Sequence, residues 1–160
     1  MRNYLFLLFL FLPLSGFAQL VGFGYQSADF KTNQFAMNIS VPYENIKSRE
    51  GVLALGAGLD FTTSGAKISG LNVKPISFLA GTDGMIDPKK STILLKLDAG
   101  YNFNFTHGNN GIILTPALYA DYGLFYLSAG YDYNIIHNEG QVFLRVGIGL
   151  TWTLLKNFGP

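Results

Sequence analysis

The chain has 160 residues, of which 49% are hydrophobic and only 13% charged, with a formal net charge of +1 and no cysteine. The length fits one domain, and the charged fraction is about half of the roughly 25% usual in soluble domains. The absence of cysteine excludes a disulfide scaffold and a thiolate zinc site, and the balanced charge offers no basic field for nucleic acid.

The first segment has the three parts of a secretory signal. An arginine near the start precedes an unbroken apolar run over residues 4–12, and the small residues Gly16 and Ala18 stand at the −3 and −1 positions of a cleavage site. The apolar run is shorter than the about 20 residues that a membrane-spanning helix needs. We therefore expect residues 1–18 to be a signal peptide and residues 19–160 to form the mature domain.

The rest of the chain alternates between apolar and polar residues with the two-residue period of β-strands. In chain order, the alternating segments are residues 20–30, 35–43, 52–62, 71–82, 92–106, 112–122, 124–136 and 141–153. The fourth segment is the weakest, because Pro75 interrupts the alternation and removes a hydrogen-bond donor, so we expect an irregularity there. Eight strands of about ten residues, joined by short turns, predict an all-β, eight-stranded antiparallel up-and-down transmembrane β-barrel.

The composition of the two faces favours a membrane barrel. In residues 92–106 the odd positions from Ile93 to Phe105 are apolar, whereas the even positions include Lys96 and Asp98 among small polar residues. A soluble barrel would need a densely charged outer face, which these polar faces do not supply. Aromatic residues near strand ends are typical of lipid-facing girdles, and here they are Tyr43, Phe61, Phe105, Tyr122, Phe125, Tyr133 and Trp152. A soluble, lipocalin-like carrier is the alternative.

In this architecture and patterning, the mature chain resembles the small eight-stranded outer-membrane barrels of Gram-negative bacteria, the OmpA-transmembrane, OmpX and OmpW group. The resemblance implies a location in the outer membrane, reached through the signal peptide. It also implies a monomer that contacts outer-membrane lipid and that meets the barrel-assembly machinery during biogenesis. A structural or envelope-related role is the expected function.

An eight-stranded barrel has a lumen just wide enough for side chains. Alternation places four carboxylates, two cations and two tyrosines in or beside this lumen: Asp60, Asp98, Asp121, Asp132, Lys96, Arg145, Tyr119 and Tyr126. Buried charges are normally paired, so we expect a polar network that plugs the barrel. The alternative is a proton or cation path, in a narrow channel or a small-ligand-binding barrel.

Turn positions predict two opposite-charge pairs between neighbouring strands. A four-residue turn before the last strand places Asp132 opposite Arg145, and a four-residue turn after the fifth strand places Lys96 opposite Asp121. With both termini on the periplasmic side, we expect the first pair and Asp60 towards the outer end of the lumen. The second pair is expected towards the periplasmic end.

Catalytic and metal-binding patterns are missing from the sequence. The two histidines, His107 and His137, fall in predicted outer loops, and two histidines without a third ligand make a poor metal site. Some barrels of this architecture are lipid A deacylases with a His-x-Ser pair, but neither histidine here is followed two positions later by serine. We therefore expect no catalytic residue, cofactor or metal, with a lipid A-modifying enzyme as a further alternative.

Overall fold

The protein is an all-β barrel closed by hydrogen bonds between its first and last strands. The structure, a computed structural model, describes residues 20–30, 32–47, 52–64, 67–83, 91–105, 108 and 110–151. Its eight antiparallel strands follow chain order: β1 (Leu20–Ala28), β2 (Thr32–Lys47), β3 (Val52–Ser64), β4 (Lys67–Asp83), β5 (Ser91–Asn104), β6 (Gly111–Tyr122), β7 (Phe125–Asn134) and β8 (Glu139–Leu150). This confirms the predicted eight-stranded antiparallel barrel. The described residues contain no helix with the length and apolarity needed to cross a membrane.

Several sequence predictions concern residues outside the described part of the chain. They are the signal peptide at residues 1–18, His107 and Trp152. For Tyr43, the backbone lies in β2 but the side chain is not described. These predictions stay as stated above.

The two ends of the barrel are distinguished by the chain ends. We call the end where β1 begins and β8 ends the terminal end, and the opposite end the distal end. Strands β1, β3, β5 and β7 end at the distal end, and β2, β4 and β6 end at the terminal end.

Strand alternation separates the two faces as predicted. In β5, Leu95 is 64% exposed and Phe105, just beyond the strand, is 60% exposed, whereas Thr92 and Leu94 are completely buried. Successive side chains of a strand point to opposite faces, so one face of β5 is the outer surface and the other lines the lumen. The same division holds in β6, where exposed Leu118 alternates with buried Tyr119.

A β-bulge at Pro75 interrupts β4, which confirms the predicted irregularity. Val73 pairs with Tyr101 and Ile76 with Ala99, so two residues of β4, Lys74 and Pro75, stand opposite a single residue of β5. A bulge of this kind shifts the alternation by one residue. The inward positions are therefore even-numbered before Pro75 and odd-numbered after it.

The predicted pairing of Asp132 with Arg145 is wrong. Asp132 pairs with Gln141, and Arg145 pairs with Ser128. The turn between β7 and β8 has four residues, as expected, but it lies two residues earlier in the chain. Asn134 fixes it there, because its side-chain oxygen accepts hydrogen bonds from the N–H groups of residues 136 and 137.

The predicted pairing of Lys96 with Asp121 is also wrong. Lys96 pairs with Ala117, and Asp121 pairs with Thr92. The pairing of β5 with β6 ends at Asn102, because the end of β5 continues along β4 rather than β6. The connection at the distal end is consequently longer than the predicted four-residue turn.

Candidate functional site in the barrel lumen

Lys74 is the centre of a network of charged side chains in the lumen. Its Nζ atom lies 2.7 Å from Asp60 Oδ2 and 3.1 Å from Asp98 Oδ2, and it donates a hydrogen bond to each. The lysine is buried, with 4% of its surface exposed. A buried ammonium group is tolerated only when it is paired and hydrogen-bonded, and the two carboxylates meet that requirement.

Arg145 joins the network from β8. Its Nη1 atom lies 3.4 Å from Asp60 Oδ1, so Asp60 bridges Arg145 and Lys74. The Nε and Nη2 groups donate to Gln26 Oε1 at 2.9 and 2.7 Å. The guanidinium also stands 5.5 Å from the centre of the Phe143 ring, within the range of a cation–π contact.

Asp98 has three donors around it. Ser77 Oγ donates at 2.5 Å and Lys74 Nζ at 3.1 Å, and Lys96 Nζ lies 3.7 Å away. Lys96 also reaches Ser40 Oγ at 3.5 Å, on the far side of the lumen. Four of the predicted lumen residues, Asp60, Lys96, Asp98 and Arg145, therefore belong to one network, and Lys74 connects it.

Two predicted carboxylates have neighbours other than those expected. Asp132 accepts a hydrogen bond from Thr115 Oγ1 at 2.5 Å, and Thr115 pairs with Asp98 of the network across β5 and β6. Asp121 is buried near the terminal end, paired with Tyr126 across the β6–β7 hairpin. Neither Asp121 nor Asp132 stands opposite the partner that the sequence predicted.

An apolar layer lies in the lumen between the charged network and Asp121. The rings of Tyr119 and Tyr126 stack with their centres 5.9 Å apart. They pack with three buried aliphatic residues, Ala54, Leu79 and Leu94. The two tyrosines are buried in the lumen, and their neighbours there include aliphatic side chains.

Little free space remains among the charged side chains. The cavity lined by Asp60, Lys74, Asp98 and Arg145 has a volume of about 20 Å³. That is the room needed by about one water molecule. The lumen at this level is filled by paired side chains.

Sequence reasoning missed two members of the network. Gln26 lies in β1 next to Tyr25, and Phe23 and Tyr25 face outward. The alternation of the strand could therefore have predicted that Gln26 faces the lumen. Lys74 was harder to find, because the bulge that follows it hides the phase of β4. The sequence placed four carboxylates but two cations in the lumen. This imbalance was the one signal that a further cation was needed there.

Within the described residues, no group of three or more His, Cys, Asp or Glu side chains is placed to hold a metal ion. His137 lies at the distal end, where its Nε2 atom is 3.0 Å from the carbonyl oxygen of Asn110. That contact ties the β7–β8 turn to the β5–β6 connection.

Comparisons with protein-family models, with curated proteins and with solved structures find no match to this chain. The residues themselves establish a closed barrel whose central charges are paired inside it. A fold alone does not identify an activity, so a function can be inferred here only from the chemistry of the inner and outer faces of the barrel.

Proposed function

We propose that the chain is a small outer-membrane barrel with a closed, polar-plugged lumen and a structural role in the cell envelope. The observation that carries the proposal is the inversion of its two faces. Large apolar side chains cover the outside, and charged side chains are buried inside. A water-soluble barrel has the opposite distribution.

The described part of the outer surface lacks the charge that water would require. Of the charged side chains that the structure describes, those of Asp29 and Glu139 lie at the distal end, and the others face the lumen. Outward residues such as Leu118 and Leu127 are nearly half exposed, and Ile148 is 57% exposed. Apolar surface of this extent indicates contact with a membrane or a protein. Because it runs around the barrel, lipid fits it better than a partner protein on one side.

Strand length and aromatic positions support the same proposal. The strands have 9 to 17 residues, and a transmembrane β-strand needs about 9–11. Exposed rings occur at the terminal side on Tyr122 and Phe125. Ring pairs occupy the distal half of the outer face: Tyr25 with Phe35, Tyr101 with Phe103, and Tyr131 with Tyr133. Aromatic residues near both boundaries are typical of barrels in lipid.

The filled lumen favours a plug over two of the alternative functions, a cation path and a lipocalin-like carrier. A cation path needs continuous space, whereas the cavity in the charged network holds about one water. A lipocalin-like carrier needs an apolar interior for its ligand, whereas Lys74, Asp98 and Arg145 occupy the middle of this one.

The experiment that tests the proposal is gel mobility of the outer-membrane fraction, extracted with detergent and run with and without boiling. We expect the protein in that fraction, with a different mobility before and after boiling, because a folded membrane barrel resists the detergent until it is heated. A soluble periplasmic protein with no heat-dependent shift would contradict the proposal. In that case a lipocalin-like carrier would become the leading hypothesis.

A further inference from the structure

The side chain of Tyr126 crosses the seam where the last strand meets the first. Tyr126 belongs to β7, yet its Cε1 atom would lie 2.8 Å from a β-carbon added to Gly147 of β8 and 2.7 Å from one added to Gly22 of β1. The same added carbon on Gly22 would lie 2.6 Å from Asn38 Oδ1, on β2. A side chain on either glycine would collide with the ring. The ring therefore lies directly against the backbone of Gly22 and Gly147, and it extends towards Asn38.

Two buried polar atoms in this region have no hydrogen-bond partner among the described residues. They are the hydroxyl of Tyr126 and Oδ1 of Asn38, both buried. Only 6% of the surface of Tyr126 is exposed, so bulk water does not reach the ring. Protein interiors pair almost all such atoms, either with protein groups or with ordered water.

Asn38 and Tyr126 also line the cavity of about 20 Å³ described above. Asn38 Oδ1 can only accept a hydrogen bond, and the Tyr126 hydroxyl can donate one. A molecule that donates to the first and accepts from the second satisfies both, and water is the molecule of this size that does so. We propose that one ordered water molecule binds between Tyr126 and Asn38 and completes a contact across the β8–β1 seam.

A bound ion fits the same place less well than water. A cation cannot accept the tyrosine proton, and Lys74 and Arg145 line the same cavity. An anion cannot donate to Asn38 Oδ1, and Asp60 and Asp98 would repel it. Water satisfies both polar atoms and adds no charge to the network.

The first test removes one hydroxyl from the folded, full-length protein. In Tyr126→Phe the ring keeps its place over the glycines while the water loses a partner, so we expect the urea midpoint of unfolding to fall. Tyr101→Phe is the matched control, because its ring is 38% exposed on the outer face. The control should leave the midpoint unchanged. If the Tyr126 hydroxyl has no partner, its removal relieves a cost, so a raised or unchanged midpoint would overturn the proposal.

The second test does not depend on stability. A crystal structure of the whole protein, at a resolution that shows ordered water, should place a water oxygen roughly 2.7–3.2 Å from both atoms. A Tyr126 hydroxyl bonded directly to Asn38 with no water between them would overturn the proposal. The site lies inside the barrel, so this result is independent of whether lipid surrounds the protein.

Discussion

The position of Lys74 decides how the charges of the lumen are balanced. It brings the described cations of the lumen to three against four carboxylates: Lys74, Lys96 and Arg145 against Asp60, Asp98, Asp121 and Asp132. Buried ion pairs often contribute little net stability, because desolvation offsets their attraction. Removing one partner is different, since it leaves the other charge buried and uncompensated.

We expect Lys74→Met to lower the free energy of unfolding by about 3–5 kcal/mol, because Asp60 and Asp98 both lose their shortest ion pair. Urea unfolding of the folded barrel measures the effect. Lys96→Met is the matched control, since Lys96 is more exposed and lies 3.7 Å from Asp98, the carboxylate paired with it among the described residues. Its loss should be clearly smaller, and equal losses in the two variants would contradict a central role for Lys74.

At the scale of the strands, four glycines occupy inward positions in the terminal half of the β1–β8 seam. Gly22 pairs with Gly149 and Gly24 with Gly147, so these four positions carry no side chain. The absence of side chains lets the ring of Tyr126 lie against both backbones. The seam is therefore stabilised by ring packing in addition to its backbone hydrogen bonds.

Adding one methyl group to a glycine that lies against the Tyr126 ring should destabilise the barrel. In Gly147→Ala the new carbon would lie 2.7 Å from Gly24 Cα and 2.8 Å from Tyr126 Cε1, and the backbone atom cannot easily move aside. We expect a loss of about 1–3 kcal/mol in urea unfolding, as is typical of overpacking. Gly58→Ala is the control, because its nearest neighbour is at 3.4 Å. A Gly147→Ala variant as stable as the control would show that the seam can open to accommodate the methyl group.

Alternation predicted the strands and their faces well, but it could not predict the register between them. The observed partner of Asp132, Gln141, is four residues from the predicted partner, Arg145. A slip by an even number of residues leaves every side chain on the same face, so alternation does not detect it. The hydrogen bonds of Asn134 that fix the turn depend on local geometry, which residue type alone does not reveal.

The centre of the candidate site escaped prediction for a different reason. Pro75 indicated an irregularity in β4 but not its type, and only a bulge of one residue puts both Lys74 and Ser77 inside. Where a bulge changes the phase of a strand, the two-residue alternation before the bulge does not show which side chains face inward after it. The alternation pattern therefore could not predict that Lys74, which connects the network, faces the lumen.

At the scale of the whole molecule, the lumen is layered along its length. Asp121 is buried near the terminal end, and the next layer is apolar and aromatic, with Leu79, Leu94 and the two stacked tyrosines. The middle holds the paired charges, and Asp132 is bonded to Thr115 beside them. An ion crossing the barrel would have to displace the paired charges and then enter the apolar layer.

We expect the folded protein to give no conductance steps above the empty bilayer when it is reconstituted into planar bilayers. The reason is that the charged layer leaves room for about one water molecule. A large porin in the same bilayers provides the positive control. Discrete steps from the folded wild-type protein would favour the narrow-channel alternative.

The seam-crossing ring has a consequence for how the barrel is assembled. Tyr126 lies over Gly147 of the last strand and Gly22 of the first, so it reaches its final surroundings only after those two strands have met. Its environment stays incomplete in every intermediate in which the cylinder is still an open sheet. A spectroscopic signal from this one tyrosine would therefore time the closing step of assembly separately from the pairing of all the other strands.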